Sequence, residues 1–154
     1  MAENLISYNA TSTLDFGLGR FNNASVRSKY GWVAQNGSVP GEEYVELRFP
    51  SFQVVSGFHF HEAPFDTFST TTLQVMYTED PGYMGPYRYA ETAAGDGATI
   101  FTVSEEEQGL CEAHDFHFNK TVYATALRII PLTWPANEYN MDAPGLRVTP
   151  EVCG

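Results

Sequence analysis

The chain reads as an all-β sandwich or barrel of about seven or eight strands, on three observations. Helical periodicity is nearly missing from its 154 residues. Short runs of β-branched and aromatic residues recur at turn-bounded intervals instead. The composition, with 13 Gly, 9 Pro, 43% hydrophobic and 14% aromatic residues, is that of a turn-rich globular protein with enough apolar material for one core.

The first clear strand is Tyr44–Phe49, where Tyr44, Glu46 and Arg48 alternate with Val45, Leu47 and Phe49. That period of two puts a polar and an apolar row on opposite faces. Val54–Phe60, Thr72–Tyr77, Thr99–Val103, Asp115–Phe118, Thr125–Ile130 and Gly145–Thr149 follow. Between them lie NGSVPGEE (Asn36–Glu43), HEAPFD (His61–Asp66), EDPGYMGP (Glu79–Pro86), AAGDGA (Ala93–Ala98) and WPANEYNMDAPG (Trp134–Gly145). All are rich in residues that favour turns. SEEEQGLCEAHD (Ser104–Asp115) suits either a short helix with an acidic start or a solvated loop. Taken alone, Ala126–Val148 reads as a strand pair joined by a long turn, with Pro131 stopping the first ladder. There is no internal repeat.

Eight Lys+Arg against 19 Asp+Glu give a net charge of −11. Such a surface repels phosphate backbones and anionic headgroups, which argues against nucleic-acid partners. No apolar run is long enough to span a bilayer, and MAENLISYNA lacks the basic and apolar regions of a signal peptide. Four Asn-X-Ser/Thr sequons, at Asn9, Asn23, Asn36 and Asn119, favour an extracellular origin. Cys111 and Cys153 either stand as unrelated thiols or close one disulfide, worth about 4 kcal/mol in the chain-entropy picture. Neither lies in a C-x-x-C pair of the kind that binds zinc or exchanges disulfides.

No catalytic motif is present: no G-x-S-x-G, no H-E-x-x-H and no phosphate loop. The chain is therefore read as a non-enzyme without a cofactor. His59 and His61 share a strand face but lack a third metal ligand in sequence, and His114 and His117 point to opposite faces.

Five segments keep a recognisable order: GRFNNASVRSKYGWVAQNG (Gly19–Gly37), EEYVELRFP (Glu42–Pro50), VVSGFHFH (Val54–His61), TTLQVMYTEDPGYMGPYRY (Thr71–Tyr89) and ALRIIPLTWPANEYNMDAPGLRVTPEVCG from Ala126 onward. Read together, they resemble successive segments, the last of them the closing one, of the discoidin domain, the coagulation factor V/VIII C-type module of the galactose-binding-like group. The resemblance covers almost the whole chain, so residues 1–154 are taken as one domain. It implies a distorted jelly-roll β-sandwich with protruding ligand loops at one end. It also places Trp32 and Trp134 in the scaffold. Tyr44 stands where the family usually has Trp, and the end reads VCG rather than Gly-Cys. The family's N-terminal Cys is absent, so either Cys111 takes its place opposite Cys153 or the partner lies outside this chain.

The loops carried over are Asn23–Tyr30, His61–Asp66 and Glu91–Ala98. Their candidate ligand residues are Arg27, Lys29 and Tyr30, then His61, Glu62, Phe65 and Asp66, then Asp96. Donors and acceptors beside an aromatic ring suit sugar hydroxyls and the apolar face of a pyranose. Asp96 serves equally as a turn residue or as an oxygen donor to the structural calcium that some related domains hold. The resemblance implies an extracellular adhesion domain, one module of a larger protein, that binds a carbohydrate or glycoprotein partner. The alternatives are a collagen-like or receptor protein, or anionic phospholipid. The lipid alternative is the weaker, because the loop tip Ala24-Ser25-Val26 carries no pair of large apolar residues.

Overall fold

The computed structural model describes residues 5–14, 23–25, 31–61, 69–103, 114–135 and 141–153. They form eight strands: β1 Ser7–Ala10, β2 Trp32–Val33, β3 Val45–His61, β4 Thr72–Thr78, β5 Arg88–Tyr89, β6 Ile100–Thr102, β7 His114–Thr133 and β8 Gly145–Val152. Every strand pairing among them is antiparallel. The order is β2-β8-β3-β7-β4-β5, with β1 added to β3 and β6 to β4. β1 occupies one edge of β3 at Val45–Arg48 and β8 takes over that edge from Val55 to His61. β6 and β5 divide the outer edge of β4 in the same way. A sheet that changes partners halfway along its long strands is a distorted jelly roll, in agreement with the expected all-β class.

Several local expectations change. Val54–Phe60 continues Tyr44–Phe49 in one strand, β3, and Asp115–Phe118 continues into Thr125–Ile130 in β7. Irregular pairing between Arg48 and Gln53 and between Val55 and Gly57 is what read as a break. Pro131 does not stop its ladder. It pairs with Leu73 beside a register shift, where a missing N–H is tolerated, and its carbonyl accepts the Gly41 N–H at 3.2 Å. Ala126–Val148 is not a hairpin, because β3 lies between β7 and β8. β1, β2 and β5 are too short to show a period. Of the helix-compatible segment, residues 104–113 lie outside the described residues, and His114 and Asp115 open β7.

Alternation explains the core. Val45, Leu47 and Phe49 of β3 face Leu127 and Ile129 of β7 and Val75 of β4, all buried. Further along, Phe58 stacks on Phe116 at 5.0 Å and meets Phe101 edge-on at 5.3 Å. These ring arrangements contribute beyond the area they bury. Trp32 is fully buried and donates its Nε1–H to the Ser12 carbonyl at 2.8 Å. Trp134 is half-buried and donates to Asp142 Oδ1 at 2.8 Å. Both serve the scaffold, as the resemblance implied.

Gly57 sits at a register shift between His117 of β7 and Glu151 of β8. A Cβ there would lie 1.9 Å from the Phe116 carbonyl oxygen. Only a residue without a side chain permits that backbone approach.

The polar row of β3 departs from simple alternation, since Glu46 is 3% exposed. Its Oε1 accepts from Arg128 Nε at 2.8 Å and from Tyr87 Oη at 2.7 Å, and its Oε2 accepts from Arg48 Nε at 2.7 Å. The Arg128 guanidinium lies 3.7 Å from the Tyr87 ring centroid and 4.6 Å from that of Tyr44. Tyr83, at φ 61, donates to the Phe49 carbonyl at 2.6 Å and so ties the Glu79–Pro86 turn down over this cluster. Burial pushes the Glu46 carboxyl up, but hydrogen bonds from Arg128, Tyr87 and Arg48 outweigh it and hold the carboxyl below its ordinary value of 4.5. Burial and the Glu46 carboxylate together push the Tyr87 phenol up.

Two outcomes follow for urea melts. Gly57→Ala is expected to cost about 3 kcal/mol or more, because backbone must move. Glu46→Ala is expected to cost about 3 kcal/mol by leaving two guanidinium groups without their acceptor. A folded pKa below the unfolded one means that the ionised carboxylate stabilises the fold above pH 4.5, and that this contribution fades as pH falls through the folded value. The wild type should lose stability below that pH more steeply than Glu46→Ala.

Candidate functional site

β3 ends at His61, β7 begins at His114 and β8 begins at Gly145. Since Phe60 pairs with His114 and His61 with Arg147, these three strand termini meet at one end of the sheet. The loop that leaves His61 returns at Ser69, whose carbonyl accepts the Gly145 N–H at 3.1 Å. The opening loop is anchored at the same strand, where Val148 donates to the Ala24 carbonyl at 2.7 Å and Trp32 pairs with Leu146. The described ends of two of the three expected ligand loops therefore lie beside β8.

The third loop is set back. Its base is fixed by Asn119 N–H to the Glu91 carbonyl, 3.0 Å, and by a bridge between Thr92 and Phe118. That lies four to five residues along β7 from His114, roughly 15 Å at strand rise. Asp96 accepts the Ala98 N–H at 3.0 Å between Gly95 and Gly97, both at positive φ. Asp96 is thus an exposed turn residue. Thr92, Ala93, Ala94, Ile100, Phe101, Thr102, Asp115, Phe116 and His117 line a shallow groove of about 410 Å³ at the foot of this loop.

Between the end and the groove lies an outward polar face. His59, His61, Asp115, His117, Arg147 and Glu151 all alternate with core residues of β3, β7 and β8. His59 Nδ1 contacts Asp115 Oδ1, while its Nε2 lies 3.6 Å from Glu151 Oε2. His117 Nδ1 lies 3.7 Å from Glu151 Oε1, and Ser56 Oγ donates to that same oxygen at 2.8 Å. The His59 hydrogen bond draws the Asp115 carboxyl below its ordinary value. Burial first, then the Arg147 charge, lowers His61, so this imidazole stays neutral at neutral pH. The face offers carboxylate acceptors and imidazole groups of either role, the set that hydroxyl-rich ligands require. Among the described residues no group of three or more His, Cys, Asp or Glu is placed to hold a metal ion.

Of the expected site residues, the structure describes His61 at the strand end and Asp96 in its turn. Arg27, Lys29, Tyr30, Glu62, Phe65 and Asp66 lie outside the described residues. Cys153 carries a free, exposed thiol, and Cys111 lies outside the described residues. Asn9, Asn23, Asn36 and Asn119 are all exposed. His59 and His61 share one face, and His114 is buried against Phe60 while His117 is exposed, as their spacing implied. Asp115, Arg147 and Glu151 were missed. Their polar alternation, Asp115-x-His117 and Arg147-x-Thr149-x-Glu151, is present in sequence, but only the strand order brings it together. Removing the imidazole in His59→Ala should let the Asp115 carboxyl titrate higher, toward its ordinary value of 3.8, in a carboxyl-detected NMR titration.

No protein-family model and no curated protein matches the chain. Solved structures do. The chain is similar to discoidin II from Dictyostelium discoideum at TM-score 0.66 and 14% identity, over 97% of this chain and 55% of that one. It is similar to the family 32 carbohydrate-binding module of C. perfringens NanJ, solved with galactose, at TM-score 0.66 and 11% identity over 96% and 93%. A chitosan-binding module from a Paenibacillus sp. IK-5 chitosanase/glucanase aligns at TM-score 0.61 and 15% identity over 97% and 96%. The chain spans only 43% of a two-domain Bacteroides fragilis protein of unknown function that it also matches. At such identities the likeness is one of backbone, and the backbone is that of a discoidin-like domain.

Proposed function

We propose that the chain is a non-enzymatic extracellular recognition domain that binds carbohydrate, free or on a glycoprotein, as one module of a larger protein. What carries this reading is the strand end where His61 and Arg147 pair and where two loops rich in hydrogen-bonding and aromatic residues leave the sheet. Structures of the same fold solved with galactose and with GalNAc-β-1,3-galactose support it, as does the chitosan-binding module. Four exposed sequon asparagines support an extracellular setting.

The physical basis is division of labour. Arg27, Lys29, His61, Glu62 and Asp66 supply donors and acceptors for hydroxyls, and Tyr30 and Phe65 supply rings for the apolar face of a pyranose. Anchoring the described ends of these loops on the sheet limits the entropic cost of presenting them. Weak single-site affinity would be raised by repetition of modules.

A glycan array of the purified domain, run with and without calcium beside an anionic-vesicle pull-down, tests the reading. Saturable binding competed by free saccharide is expected, and His61→Ala and Phe65→Ala should each weaken it about tenfold, near one lost hydrogen bond or stacking contact. Binding to vesicles alone, or silence on both, would overturn it in favour of lipid or protein recognition.

A further inference from the structure

We propose that a cavity beside Tyr123 is a second carbohydrate site, one that takes a single hexopyranose ring and is separate from the loop end. The ligand class rests on the carbohydrate reading above, but the geometry rests on different residues. The cavity holds about 240 Å³ between the end of β4 and the middle of β7, lined by Tyr77, Glu79, Asp80, Arg88, Thr121 and Tyr123 among others. Val122 in its wall pairs with Val55, six residues along β3 from His61, or roughly 20 Å.

Three features fit one sugar ring. First, Tyr123 is an aromatic plate held in place, because Phe52 stacks on it at 5.6 Å and 21° while the Tyr123 residue stays 52% exposed. Second, the cavity wall carries both Arg88, which only donates, and Glu79, which only accepts. Neighbouring hydroxyls of a pyranose each need a donor and an acceptor, so this pair satisfies both. Third, the wall is rigid. Thr125 Oγ1 donates to the Asp80 and Thr78 carbonyls at 2.5 and 3.2 Å, and the Asp80 carboxylate accepts the Gly82 and Met84 N–H groups at 3.3 and 2.9 Å. The Asp80 carboxylate is thereby committed to the turn, and Glu79 and Arg88 are left to meet a ligand.

The test is an amide NMR titration of the unglycosylated chain with galactose, N-acetylgalactosamine and glucosamine. Saturable shifts are expected at residues 77–80, 88 and 121–123, unchanged in His61→Ala and at least tenfold weaker in Tyr123→Ala. Glu79→Gln, an exposed change that leaves the fold alone, should weaken them as well. Shifts confined to the loop end would overturn the second site while leaving the carbohydrate reading standing. No shift anywhere with the three sugars would overturn both.

Discussion

The antiparallel ladder between β3 and β7 is the constraint on which the rest of the structure depends. It runs from Val45 opposite Ile129 to Phe60 opposite His114, and on its other edges it recruits β1, β8 and β4. Two slips interrupt it, and each has a consequence. The slip between Arg48 and Gln53 frees Phe52 from the ladder, so its ring meets Tyr123 outside the core. The slip between Val55 and Gly57 brings backbones so close that a glycine is required at its end. The ladder's far end sets the loop platform, and its irregular middle makes the cavity wall.

How much of this was legible in the sequence depends on range. Alternation in Tyr44–Phe49 predicted the core row Val45, Leu47 and Phe49 because a strand's period is a local property. The interruption at Pro50–Gln53 read as a strand end, since a chain that slips register and one that turns away look alike in one dimension. Pro131 misled for a related reason: its missing N–H matters only if a partner needs it, and at a register shift none does. The resemblance pointed to two loops whose described ends, at Ala24 and at His61 and Ser69, lie beside β8. The His59–Asp115–Glu151 face was not, because it is assembled from three strands whose adjacency β3-β7 and β3-β8 is not written in any one of them.

Glu46 shows the same limit from the energetic side. In sequence it is one polar residue in an alternating strand. In the fold it is a buried carboxylate, and a buried charge persists only where geometry supplies enough partners. The aromatic turn supplies them: Tyr83 fastens the turn to Phe49, which positions Tyr87 to donate to Glu46 and to cover Arg128. Replacing Glu46 alone would strand Arg48 and Arg128 without their acceptor, so the carboxylate is tied to its partners and adds specificity to stability. It fixes which strand carries Arg128 opposite it and how the turn closes.

The placement of positive charge extends that logic to function. With a net charge of −11 the chain has only 8 basic residues, and two of them, Arg48 and Arg128, are committed to Glu46. Most of the others fall on candidate surfaces. Arg27 and Lys29 belong to the first loop, Arg147 stands opposite His61, and Arg88 lines the cavity. In sequence none of these lies in a long run of basic residues of the kind that tracks a phosphate backbone. Among the described residues, Arg147 stands opposite His61 and Arg88 shares its cavity wall with Glu79, so donor and acceptor groups are interleaved there. A neutral polyhydroxyl ligand needs both roles at every position and is indifferent to the overall field. On the proposed reading, an acidic protein with few cations suits neutral sugars better than anionic lipid or nucleic acid.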